Sequence, residues 1–289
     1  MKKIILLLIL FNLSFCAKAY DYSSFCAPEP ISKNISGNIL SLIGLNFLSK
    51  NIIESQITHA VKKELNSKIK INLDNFYGVN ILSGKFKSLE ATSKEFNFDG
   101  FYFSNLKVNT VCPYNYVSIK NKELVFMENM ALKYSTEITQ DNIDKIINSS
   151  FYQNLIDKMN SNKIISKAIK IQNSNIQIKD NDLILDYKIV PSEKTDLLSS
   201  IIKNYIKPAN IKINANLKAN NGKVELCNLS LNSKTNKYND LSSIINLLNP
   251  LSYNLDINKS NKGELKVENV EIKDNKIYLD GIVLIKKNG

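Results

Sequence analysis

"NIQIKDNDLILD" (residues 175–186) and "NVEIKDNKIYLD" (residues 269–280) lie 94 residues apart and agree at seven of twelve positions. In both, apolar and polar residues alternate on either side of an Asp-Asn pair. A period of two marks a strand with one buried face. Asp and Asn tolerate turn conformations and hydrogen-bond their own backbone. Each stretch therefore predicts a β-hairpin. Ile176 and Ile178 lead into Asp180-Asn181, and Leu183, Leu185, Tyr187 and Ile189 return. Val270 and Ile272 lead into Asp274-Asn275, and Ile277, Leu279, Val283 and Ile285 return. The repetition reads as one scaffold element used twice, or as chance reuse of a good hairpin in a chain rich in Lys and Asn.

Working outward, Ile211, Ile213, Ala215, Leu217 and Ala219 alternate into Asn220-Asn221-Gly222, a strong hairpin turn. Thr139-Gln140-Asp141 opens a helix that carries Ile143, Ile146, Ile147, Phe151, Leu155 and Met159 on one stripe. Tyr116–Ile119 and Glu123–Tyr134 read as strands. From Lys68 the period is again two, with Ile69, Ile71 and Leu73 alternating with Lys70 and Asn72. Phe96, Phe98 and Tyr102 share one parity and Phe101 and Phe103 the other, which puts a turn near Asp99-Gly100. Ile31 to Leu65 is helical in pattern, and Leu197–Ile206 and Leu241–Leu248 read as shorter helices. Amphipathic helices of this length need a sheet face to bury their stripes, so the class is α+β.

The chain begins MKKIILLLILFNLSFCAKAYDY. A charged start, an apolar run from Ile4 to Phe15 and the small-x-small site Ala17-Lys18-Ala19 predict a secretory signal peptide. The rival, a lipidated Cys16, meets the bulky Phe15 just before it. The organisation expected is a signal peptide over 1–19, a leader and amphipathic helix over 20–66, and one domain over 67–289. All 38 basic side chains are Lys, with no Arg, and loss of Lys2, Lys3 and Lys18 takes the net charge from +11 to +8. The Lys and Asn richness suits an AT-biased genome. A basic exported protein also favours anionic membrane surfaces. Nucleic acid fits poorly, because bidentate phosphate and base recognition favours Arg. Cys26, Cys112 and Cys227 remain after cleavage, an odd number. A Cys26–Cys112 bridge that pins the N-terminus is one reading, and unpaired buried thiols are the other.

Candidate chemistry is sparse. His59 is the one histidine and stands in the N-terminal helical pattern. The sequence holds no Gly-x-Ser-x-Gly elbow, phosphate loop, dinucleotide fingerprint or EF-hand loop. Asp180, Asp274 and Asp280 read as turn formers or outward-facing groups. No cofactor, metal or catalytic constellation is expected. The more informative feature is an aromatic cluster, with Phe76, Phe86, Phe96, Phe98, Phe101 and Phe103 as its candidate site residues. It serves as ordinary sheet core or lines an apolar ligand cavity.

The same region carries a family likeness. Gly84-Lys-Phe86-Lys-Ser-Leu89 and Gly100-Phe-Tyr-Phe-Ser-Asn-Leu106-Lys-Val108 resemble the DUF2993 family, whose studied members are LmeA-like phospholipid-binding proteins of bacterial envelopes. The strand at Leu124–Tyr134, the helix entry "TEITQDNIDKII" and the two repeated hairpins continue the likeness in order. It covers most of Lys68 to Lys286 and rests on pattern and element order. Lys and Asn stand where the family's small and acidic residues are expected. The resemblance implies a long curved antiparallel sheet wrapped around helices, similar to the tubular lipid-binding folds. It implies a periplasmic or envelope protein that binds phospholipid or another amphiphile in an apolar cavity, without covalent chemistry. The alternative is a non-catalytic envelope scaffold or accessory factor for a protein partner.

Overall fold

The computed structural model describes residues 22, 24–28, 51, 54, 55, 57–59, 62, 67–74, 84–98, 100–120, 123–161, 169–191, 209–231 and 263–288. Residues 1–19, expected to be a signal peptide, Phe76 and the two shorter helices expected at 197–206 and 241–248 lie outside them. Described residues between 51 and 62 are helical.

Among the described residues, strand pairing is antiparallel throughout, in three open sheets. The six-stranded sheet runs in the order β1 (Ile69–Asp74), β3 (Ser88–Phe98), β4 (Phe101–Thr110), β7 (Met130–Ile138), β13 (Lys276–Ile285) and β12 (Gly263–Lys273). The four-stranded sheet runs β11 (Lys223–Leu231), β10 (Ala209–Asn220), β9 (Asp182–Pro191) and β8 (Ile169–Lys179). A small sheet joins β2 (Lys85–Phe86), β5 (Asn115–Lys120) and β6 (Glu123–Phe126). The architecture is thus β-rich with a few helices, and its strands fall into several sheets where one long sheet was expected. The strand expected over Glu123–Tyr134 is interrupted at Met127–Asn129. Its halves serve different sheets: β6 pairs with β5, while β7 pairs with β4 and β13.

The repeated stretches are hairpins β8–β9 and β12–β13. Their central residues have φ of 54° and 63° at Asp180-Asn181, and 51° and 56° at Asp274-Asn275. Positive φ at both positions is what the two-residue hairpin turn demands, and it matches the twist of the flanking strands. Asn221-Gly222 closes β10–β11 with the same signs. Equivalent residues of the two repeats, Leu183 and Ile277, Leu185 and Leu279, are all buried in one core.

That core clasps two helices, α1 (Gln140–Ile147) and α2 (Ser150–Ser161), between the six- and four-stranded sheets. Thr139 caps α1: its hydroxyl accepts from the Asn142 N–H, and the Asn142 side chain accepts from the Thr139 N–H. The single helix expected here breaks at Asn148–Ser149. Ser149 Oγ donates to Ile146 O and accepts from Tyr152 N, closing one helix and opening the next. The break turns the stripe, so Ile143 and Ile146 are joined in the core by Tyr152 and Ile156. Gln140 ties α1 to β8 by donating to Ile176 O and accepting from Ile178 N. The β10–β11 hairpin is hooked to β12 where Val267 N donates to Gly222 O at 2.9 Å.

A second cluster occupies the other end of the six-stranded sheet. Ile71, Leu73, Ala91 and Met130 meet Ile57 of the N-terminal helical residues and Phe86 and Val117 of the small sheet. The leader is pinned at that end: Cys26 and Cys112 form a disulfide across 86 residues, and Asn129 donates to Phe25 O. The third cysteine, Cys227, is a half-buried free thiol whose pKa burial pushes up.

Candidate functional site

Residues directly opposite in neighbouring strands share a face. One row therefore crosses all six strands: Ile71, Ala91, Val108, Tyr134, Gly281 and Val267. The next row holds Leu132, Val283 and Leu265. These rows form the inner face, apolar except at Thr110, which pairs with Leu132 in the second row. Tyr134 lies along it, over Gly281, with its hydroxyl donating to Lys266 O at 3.4 Å. A Cβ on Gly281 would stand 2.1 Å from Lys266 O and 2.7 Å from Tyr134 Oη, so only glycine lets the ring settle there. Burial pushes the Tyr134 phenol far above its ordinary pKa, with Asp280 and Glu268 adding to the effect.

Cover over this face is uneven. Its two ends are closed by the two clusters. Ile69, Leu89, Val108, Leu132, Val283 and Leu265, one on each of the six strands, are half-buried; the first four pack against the edge of the second cluster.

The aromatic residues read from the sequence as sheet core or cavity lining divide between two clusters. Phe96 and Phe103 are register partners, their rings stacked 4.7 Å apart. Phe101 lies 6.0 Å from Phe103 and 4.7 Å from Phe151 of α2. This group fixes the β3–β4 hairpin to the helices. Gly100, at φ 86°, makes the turn, and a Cβ there would stand 2.7 Å from the Phe151 Cβ. Phe98 is in β3 opposite Phe101. Phe86 is apart from them, fully buried in the second cluster. Phe101 and Phe103 are equally core residues, at 2% and 5% exposure. His59 is exposed. Among the described residues, no three His, Cys, Asp or Glu side chains come together in a way that could hold a metal ion, and no helix is long and apolar enough to cross a membrane.

The opposite face of the sheet carries a trough of about 720 Å³, lined by Lys68, Lys70, Thr92, Lys94, Lys107 and Ser135. At its far end stand Glu137 and Asp280. The Glu137 carboxylate accepts from Lys276 Nζ at 3.0 Å and from Asn105 at 3.1 Å. Burial alone would push its pKa up, but these hydrogen bonds and the Lys276 charge hold it below the ordinary value. The trough is absent from the sequence-based candidates. Its signal is Lys at every second position outside the apolar alternation, visible at Lys68 and Lys70 but broken before Lys107 by an irregularity in β4.

No protein-family model, curated protein or solved structure matches the chain.

Proposed function

We propose that the protein is an exported, non-enzymatic lipid binder that holds the acyl chains of a phospholipid against the inner face of the six-stranded sheet. The observation that carries this reading is the half-buried aliphatic band. Six side chains, one per strand, are half-buried along this face: Ile69, Leu89, Val108 and Leu132 at the edge of the second cluster, and Val283 and Leu265 beside them. Covering such area stabilises a complex by roughly 25 cal/mol per Å². Flexible chains suit a smooth aliphatic surface that offers no directed polar contact. Sheets that clasp helices are also what the likeness to the DUF2993 family implies, and on this reading the fold is of the tubular lipid-binding type. The Cys26–Cys112 disulfide fits an oxidising compartment outside the cytoplasm.

The test is native mass spectrometry of the purified protein, before and after incubation with phosphatidylglycerol or phosphatidylcholine vesicles. A bound phospholipid mass is expected, and Leu132→Asp should remove it while circular dichroism still reports a folded protein. A protein that carries no lipid and acquires none from either vesicle would overturn the reading, and the scaffold for a protein partner would take its place. Phe86 and Phe103 are poor probes, because a charge at either core position would unfold the domain.

A further inference from the structure

The trough on the outer face gathers four lysines against two carboxylates, Glu137 and Asp280. Lys70, Thr92, Lys107 and Ser135 are successive register partners on β1, β3, β4 and β7. Strands lie about 4.8 Å apart, so the two lysines stand roughly 10 Å from each other at the backbone. Lys68, just before β1, and Lys94 on β3 are each two residues along from this row. None of the four takes part in an ion pair among the described residues. The carboxylate of Glu137, in the same trough, is already taken by Lys276 and Asn105. Asp280 is separated from Lys107 by Ser135.

We propose that this trough is an anion site that takes a phosphate group carried by a larger molecule. Four ammonium groups on one face repel one another, Glu90 beside Thr92 and Asp280 beside Ser135 offset only part of that charge, and a phosphate dianion or diester relieves the rest. Each ammonium offers three N–H donors, and the Thr92 and Ser135 hydroxyls add two more. Lysine binds phosphate as a point charge, which a shallow site with rotating donors accommodates. The volume, about 720 Å³, accepts a phosphorylated small molecule or a phospholipid head group. The site is separate from the inner apolar face, because the sheet itself lies between them. One lipid does not fill both, and the inference is independent of what the inner face binds.

Three proteins separate the possibilities: the wild type, Lys70→Ala/Lys107→Ala, and a control, Lys179→Ala/Lys223→Ala, whose exposed lysines belong to the four-stranded sheet. The probes are inorganic phosphate, followed by titration calorimetry, and phosphatidylglycerol against phosphatidylcholine vesicles, followed by flotation. The wild type is expected to bind phosphate, or phosphatidylglycerol in preference to phosphatidylcholine. The trough variant should lose at least tenfold in affinity and the control less than twofold. Binding of phosphate alone identifies a free phosphate ester as the source. Binding of phosphatidylglycerol alone identifies a head group. No binding of either probe by the wild type overturns the proposal, as does an equal loss in both variants, which would mean diffuse basic charge. Retention of acyl chains is unaffected by the trough variant, so this site and the lipid reading fail separately.

Discussion

Ile71, Ala91, Val108, Tyr134, Gly281 and Val267 cross the six-stranded sheet on one side. Lys70, Thr92, Lys107, Ser135, Asp280 and Asn269 cross it on the other, each next to its counterpart in the same strand except Asn269, which a slip in the β12–β13 pairing sets two residues from Val267. A shift of one residue separates an apolar surface from a charged one. The two faces stay in phase through irregularities in the strands, one between Val267 and Asn269 on β12 and one at Asn105 on β4. Between Ser104 and Lys107 the pairing of β4 with β7 slips, and Asn105 takes φ 53°. With strict alternation after the buried Phe101 and Phe103, Lys107 would point inward and Leu106 outward. The extra residue returns Leu106 and Val108 to the inner face and sends Lys107 to the trough. The comparison teaches that on β4 the assignment of residues to the two surfaces depends on one left-handed residue.

The largest expected effect falls on the inner face. Ile277→Ala, at a fully buried position of β13, should destabilise the protein by about 2–5 kcal/mol in urea unfolding, the range for a cavity in a packed core. Lys70→Ala/Lys107→Ala, on the outer face, should change stability by no more than about 0.5 kcal/mol per position. Equal costs on the two faces would contradict the division. Next is the residue that keeps the faces in phase on β4. Asn105→Ala should lose about 1–2 kcal/mol, because a Cβ-bearing residue without a short polar side chain is strained at positive φ. Asn105→Gly keeps the backbone freedom and should lose less. If alanine and glycine behave alike, the left-handed conformation is not what matters at this position.

The smallest effect concerns the one acidic end of the trough. Glu137 has its pKa lowered and Lys276 has its pKa raised by their mutual hydrogen bond. The Glu137 contribution is complete above its unfolded value of 4.5 and is lost as the pH falls through the lower folded value. The Lys276 contribution is complete below 10.5 and is lost as the pH rises through the higher folded value. Lys276→Met should therefore lower the melting temperature slightly at neutral pH. The difference from wild type should shrink toward pH 3 and again above pH 11. A difference that does not vary with pH would point to lost packing instead.

Much of this arrangement is legible in the residues themselves. The alternation around Asp180-Asn181 and Asp274-Asn275 specifies two hairpins, and the parity change between Phe98 and Phe101 marks the turn at Gly100. What escapes is whatever depends on partners far along the chain. Leu124–Tyr134 alternates well enough to read as one strand, yet Asn129 is drawn aside to donate to Phe25 O and accept from Lys287 N. Ser149 is an ordinary serine until the helix breaks and it becomes a cap. The aromatic cluster reads as sheet core or as cavity lining, because propensity registers only that aromatics favour strands, not which cluster each one joins. The trough escapes because no local pattern brings Lys70 beside Lys107; the register of three strands does. Its one local trace is the flip of apolar parity between Phe103 and Leu106, with Asn105, a residue at ease in the left-handed region, lying between them.

The central claim, that acyl chains lie on the inner face and phosphate on the outer, is tested most directly by photo-crosslinking. Phosphatidylglycerol with a photoreactive group near the end of one acyl chain would be loaded onto the protein, irradiated, and the labelled residues mapped by peptide mass spectrometry. The account predicts labels on the half-buried band, at Val108, Leu132, Leu265 or Val283, unchanged in Lys70→Ala/Lys107→Ala. Labels confined to the lysine face, or no labels despite bound lipid, would contradict it.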